Sequence, residues 1–196
     1  MKRIIYADHA ATTKLDIDAF EAMKPFLENH FGNASSIYSI GRFAKQKLEK
    51  SRKIIANCIN AEPDEIFFTS CGTESDNWAL KSSVKFSGNE HIITSQIEHH
   101  AILNSARFLE NHGVEVTYLK PDKFGMILPE TLESALQDNT KLVSIMFANN
   151  EIGTIQPIKE LASICKKKNI KFHTDAVQAV GHVKIDVKDL GVDMLS

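Results

Sequence analysis

The stretch HIITSQIEHHAILNSARFLENHGVEVTYL, residues 91–119, decides the fold. His91–Ser95 is a short apolar run of the kind that forms a buried strand. Ala101–His112 has helical period and stops at Gly113, which tolerates the left-handed backbone that ends many helices. Val114–Leu119 is β-branched and alternating, a second strand. The alternation continues in both directions. Upstream, Glu65–Thr69 has the pattern of a buried strand and Thr73 to about Phe86 that of a helix. Downstream, Pro129–Leu136 opens with a proline suited to a first helical turn. Leu142–Met146 is then strand, Ile158–Lys168 helix and Lys171–Thr174 strand. Strands alternating with helices predict an α/β fold with a mostly parallel sheet covered by helices. The first sixty or so residues differ, with helical patterns at Asp16–Glu28 and Ile40–Asn57 and little strand.

Composition narrows the function classes. The 196 residues are 43% hydrophobic and 24% charged, with 23 basic against 25 acidic residues and a net charge of −2. That balance gives no general attraction to nucleic acid or anionic lipid. No apolar run approaches the roughly 20 residues of a membrane span. The opening Met1–Asp8 is too short and too soon polar for a signal peptide, so a cytoplasmic address is expected. Cys58, Cys71 and Cys165 lack CxxC spacing, which points away from disulfides and zinc knuckles; Cys58 and Cys165 are expected to be small buried thiols.

In open parallel sheets ligands bind beyond the C-terminal ends of strands. The segments that follow the apolar runs are Ser70–Ser75, Gln96–His100, Phe147–Gly153 and His173–Gln178, all rich in polar side chains. Cys71-Gly72-Thr73-Glu74-Ser75 joins a strand to a helix, where free N–H groups and the helix dipole favour an anion such as phosphate. Gly72 allows close approach, and the hydroxyls of Thr73 and Ser75 serve either the anion or the helix cap. Asp175 ends an apolar stretch, so its carboxylate needs a partner: a cationic ring nitrogen, a local lysine or a cap. Asn150 and Gln178 are either hydrogen-bond partners of a ring oxygen or surface amides. His99 is suited to lie over an aromatic ring or to move a proton near neutral pH. Glu98, His99, His100, His173 and Asp175 do not make a persuasive metal set, because adjacent residues point to different sides and no HExxH is present.

Tyr6–Thr13, Gly32–Ser36, Thr69–Asn77, Glu98-His99, Asn149–Thr154 and His173–Gly181 resemble in order and spacing the motifs of the NifS/IscS cysteine desulfurases. The resemblance spans essentially the whole chain. It implies the three-layer, aspartate-aminotransferase-like fold of pyridoxal-phosphate-dependent transferases, with residues 1–14 opening a small domain and 15–196 forming an incomplete large domain. By position, Gly72 and Thr73 would bind the cofactor phosphate and His99 would stack on the ring and assist proton transfer. Asn150 would meet the ring oxygen or substrate, Asp175 the pyridinium nitrogen and Gln178 the phenolic oxygen. The implied reaction converts L-cysteine to L-alanine and passes sulfur through a loop-cysteine persulfide to an acceptor or scaffold protein, in a homodimer, for iron–sulfur cluster or related cofactor assembly. No metal is implied.

Three parts of the family pattern fall outside the 196 residues: the Schiff-base lysine expected a few residues past Ser196, the loop cysteine and the substrate-binding arginine. The chain alone is therefore expected to be inactive. Cys71 is expected to be a packing residue rather than a substitute for the loop nucleophile. His9 and Ala34 stand where many relatives have Asn and Pro. A related lyase or transaminase and a non-catalytic interaction protein are the competing readings.

Overall fold

The structure, a computed structural model, describes residues 4–196; Met1–Arg3, part of the expected N-terminal segment, lie outside them. The chain forms two compact units. The first runs to Cys58 and takes in Glu62–Ile66; the second is Ile59–Ala61 with Phe67–Ser196.

The first unit is helical. Helix α1 (Ile17–Glu28) starts at Asp16, whose carboxylate accepts the N–H groups of Asp18 and Ala19 at 2.9 and 3.1 Å. That cap satisfies two of the donors a helix start leaves free. Helix α2 (Ser39–Ile59) follows. Burial is sparse: none of α1 is buried, and in α2 only Gly41 and Ala56 are. Phe26, His30 and Phe43 form a local ring cluster, with His30 and Phe43 centroids 4.6 Å apart.

The second unit carries the predicted sheet. Its elements are α3 (Gly72–Ser82), β1 (His91–Ser95), α4 (His100–Glu110), β2 (Glu115–Leu119), α5 (Pro129–Ala135), β3 (Thr140–Ser144), α6 (Ile158–Lys167), β4 (Lys171–Thr174), α7 (Val187–Leu190) and β5 (Met194–Leu195). All pairings are parallel, in the order β2-β1-β3-β4-β5. Alternate strand residues feed different cores. Ile92 and Leu142 pack with Leu80 of α3 and Ile102, Ala106 and Leu109 of α4. Ile93, Val143 and Phe172 pack with Leu132 of α5 and Ile158, Leu161, Ala162 and Cys165 of α6. The result is three layers, helix, sheet and helix, as expected. Each fully buried Leu or Ile contributes about 1.5–3 kcal/mol. Gly113 has φ 85° and ends α4 as read from the sequence.

Four expectations are corrected. Glu65–Thr69 is not a strand: Pro63–Glu65 is a 3-10 turn, the following residues join no ladder, and Phe67 and Phe68 are 66% and 47% exposed. Strand propensity is realised only against a neighbouring strand, and among the described residues none pairs there. Phe67 instead meets Trp78 edge-on, centroids 5.5 Å apart. The helix expected to reach Phe86 ends at Ser82, because the Glu90 carboxylate accepts the N–H groups of Lys85 (2.7 Å) and Ser87 (3.0 Å) and draws the chain out of helical geometry. Cys165 is buried as expected, but Cys58 is exposed, because α2 buries only Gly41 and Ala56. Cys71 is exposed too, since its segment is a helix cap rather than a core turn.

Candidate active site

Between β1 and β3 the connections run off in opposite directions, to β2 on one side and to β4 on the other. Such a switch point opens a crevice at the C-terminal ends of the strands. Two buried side chains span it. Glu98, after β1, accepts the Ser95 hydroxyl at 2.6 Å and the Met146 N–H, beyond β3, at 2.9 Å. Asn149 donates to the Ile97 carbonyl at 2.8 Å and accepts the N–H groups of Glu151 and Ile152 at 2.9 and 3.0 Å. Asn149 is thus a bracket that shapes the turn, while its neighbour Asn150 is left half-buried at the rim.

His99 occupies the N-cap of α4 and is exposed. Its Nδ1 accepts the Ala101 N–H at 3.2 Å, so in the neutral ring the proton sits on Nε2. The ring is held by the helix start, and Nε2 is the nitrogen free for other chemistry.

Helix α3 begins after Cys71, whose backbone is extended and whose side chain caps no N–H. Glu74 reaches back to the Ser70 N–H at 2.6 Å, fixing the turn. The Gly72 N–H has no side-chain cap, which suits it to an anion; the Cys71 thiol lies beside the Glu74 and Thr73 N–H groups, which lower its pKa. A Cβ on Gly72 would lie 2.9 Å from Val177 Cγ2, so glycine lets this turn pack against the segment after β4. Ser75 is not a cap; its hydroxyl meets that of Ser196 at 2.7 Å.

Asp175 lies just past β4, 6% exposed. One carboxylate oxygen accepts the Val177 N–H at 3.0 Å, and its carbonyl accepts the Phe147 N–H at 2.7 Å. Burial raises its pKa; the Val177 hydrogen bond and the nearby His99 pull it back down. Gln178 follows, half-buried, in the turn closed by Ala179 N–H to Ala176 O at 2.8 Å. The structure therefore brings Gly72 beside the turn carrying Asp175 and Gln178, and His99 within electrostatic reach of Asp175.

Beneath this rim lies a buried polar layer that the sequence reading only partly saw. His173 is fully buried; its Nδ1 meets Ser144 Oγ at 2.8 Å and its Nε2 meets Ser196 Oγ at 2.9 Å. Burial drives its pKa down to about 3, so it is neutral, and its 3.8 Å approach to Asp76 is not an ion pair. Burial, then the charge of Asp175, pushes Asp76 up to about 7. Burial pushes Glu98 up to about 8. Asp76 was missed although α3 signals it: it stands at i−3 and i−4 from the buried Ala79 and Leu80, on the core face. Among the described residues no group of three or more His, Cys, Asp or Glu is arranged to hold a metal ion.

The model of the aminotransferase class-V family matches residues 5–196. The chain belongs to this family. Within class V it is 54% identical to the cysteine desulfurase IscS of Methanosarcina thermophila over 99% of this chain and 48% of the relative. It is 53% identical to the IscS of Clostridium botulinum strain Kyoto over 100% and 50%. Among solved structures, SspA in complex with cysteine superposes with a TM-score of 0.95 at 40% identity, over 97% of this chain and 56% of that one. A NifS-like protein gives 0.92 at 40% identity, over 96% and 54%. The chain spans about half the length of the curated class-V relatives it matches. The helix–sheet–helix layering is that of the pyridoxal-phosphate fold-type I large domain seen in these structures.

Proposed function

We propose that this chain forms the cofactor-binding part of a pyridoxal-phosphate-dependent cysteine desulfurase. The observation that carries the reading is the pairing of an uncapped helix start at Gly72 with a buried carboxylate at Asp175, held together where Gly72 meets Val177. This donor set fits a ligand with an anionic group at one end and a protonated aromatic nitrogen at the other. When bound, pyridoxal phosphate supplies an electron sink for chemistry at the carbon bearing a substrate amine.

The N–H groups of Gly72 and Thr73 and the Thr73 hydroxyl would hold the phosphate. Asp175 would hold a proton on the ring nitrogen, and its seclusion from water strengthens that pairing. Asn150 would meet the ring oxygen or substrate and Gln178 the phenolic oxygen, with His99 over the ring face. With Nδ1 occupied, His99 holds or moves a proton at Nε2. The substrate is L-cysteine and the products L-alanine and sulfur, which is delivered through a persulfide to an acceptor or scaffold protein. The working form is a homodimer in the cytoplasm. Residues 1–14 open the small domain and 15–196 belong to the large one.

Phosphorus-31 NMR of pyridoxal phosphate titrated with the 196-residue chain tests the cofactor reading. A shifted phosphate signal, lost in Asp175→Ala, supports it; an unshifted signal at millimolar protein overturns it. For the longer protein, alanine and sulfide formed from L-cysteine in equal amounts, with dithiothreitol present to reduce the persulfide and be oxidised to its disulfide, test the reaction.

A further inference from the structure

Asp76 has no part in the chemistry above, yet it is 1% exposed. Two links bring α3 and the segment after β4 together around it. Gly72 lies against Val177, and the Ser75 hydroxyl bonds that of Ser196, whose carbonyl accepts the Ala176 N–H at 2.8 Å. Asp76 Oδ1 lies 3.8 Å from His173 Nε2, and Asp175, two residues past His173 in extended chain, projects to the same face as His173, so the two carboxyls border one buried region.

Their surroundings differ. Asp175 accepts a backbone N–H, which favours the ionised form. Asp76 has a buried Oδ1 without a hydrogen-bond partner. The imidazole nearest to it, His173, is engaged by Ser144 and Ser196 and is neutral. The titratable groups facing the pair are His173 on β4, Glu98 and His99 beyond β1, with the Ser196 hydroxyl past β5. Glu98 adds a third acid and also has an unpartnered buried oxygen, Oε2. Two carboxylates in one region of low dielectric do not both stay ionised.

We propose that Asp76 and Asp175 are a coupled carboxyl pair holding one negative charge, with the proton on Asp76 until a cation pairs with Asp175. Asp76 is then a positioning residue for Asp175. Were a cation to pair with Asp175, the Asp76 O–H bond would break and its proton would leave to water. Binding that releases a proton tightens as pH rises, here through about 7. Only the identity of the cation rests on the cofactor reading; the pair itself does not.

The test is an infrared titration of the cofactor-free chain, following the C=O band of protonated carboxyls in wild type, Asp76→Asn and Asp175→Asn. A band missing from Asp76→Asn should titrate near 7. Its midpoint should fall by about one pH unit or more in Asp175→Asn, where the neighbouring charge is gone. A band near 7 that survives in Asp76→Asn, as distinct from the Glu98 band near 8, or a midpoint unmoved in Asp175→Asn, overturns the pair. Carbon-13 NMR of the wild type labelled at Asp carboxyls probes the same coupling without substitution: two-step titration of both signals supports it, and independent single steps overturn it. Adding pyridoxal phosphate separates the two readings. A lowered Asp76 midpoint supports both. An unbound cofactor with the Asp175→Asn shift intact overturns the cofactor reading alone, and a bound cofactor with an unmoved midpoint overturns the proton release.

Discussion

At mid-height the central strands of the sheet present Ile92, Ile93, Leu142, Val143 and Phe172, whereas nearer their C-terminal ends the buried side chains are Thr94, Ser95, Ser144, His173 and Thr174. Register aligns the two rows: Ile93 with Val143 and Val143 with Phe172, then Thr94 with Ser144 and Ser144 with His173. Within one strand, adjacent residues thus belong to different physics. The apolar row holds the layers together by exclusion of water. The polar row, with Asp76 of α3 and Glu98 after β1 beside it, is equally buried but leaves Thr94 Oγ1, Thr174 Oγ1, Asp76 Oδ1 and Glu98 Oε2 without a hydrogen-bond partner. A protein gains nothing in stability from such atoms, which sets this row apart from the apolar one beside it.

The comparison breaks most sharply at Phe172. Phe172→Ala should lower unfolding free energy by about 3–5 kcal/mol, by cavity and transfer effects together, in a denaturant titration. Asn149→Ala should cost about 1–3 kcal/mol, because it strips the Ile97 carbonyl and two N–H groups of their partner.

The polar row should also write itself into the pH dependence. Asp76 and Glu98 have folded pKa values above their unfolded ones, so the folded state binds more protons. Stability from these groups is full at low pH and falls as pH rises, from about 4 to about 7 for Asp76 and from about 4.5 to about 8 for Glu98. Neutral His173 acts oppositely, and its contribution is lost as pH falls from 6.5 towards 3. Between about 6.5 and 8 only the acids remain, so stability should decline there. Glu98→Gln, measured by thermal melts across that range, should flatten the decline. The smallest effect is expected at Asn150→Ala: within about 0.5 kcal/mol of wild type in stability, yet weaker for pyridoxal phosphate in the phosphorus titration. A large stability loss there would remove the contrast with Asn149.

The legible parts of the fold were those whose signal is local. Residues 91–119 form their strand, helix and strand within a residue or two of expectation, because period and the stop at Gly113 are properties of the segment itself. Glu65–Thr69 failed because a strand is a relation between two segments, and α7 and β5 were missed because four and two residues carry no period. At the site, expected strand ends directed attention to Gly72, His99, Asn150, Asp175 and Gln178, although the segment before Gly72 forms no strand. The roles of Asn149 and Glu98 as brackets depend on partners 52 and 48 residues away and could not be read from neighbours. Asp76 could have been, from its place on the apolar face of α3.

The link between Ser75 and Ser196 spans 121 residues. Closing so long a loop is entropically slow, and every strand of the sheet lies inside it. During synthesis the turn at Gly72 emerges early, yet its anchor is made only after the last strand has docked. Early in folding this turn is a helix start with nothing behind it, so ligand affinity should appear as one of the final events, lagging behind the burial of the aliphatic core.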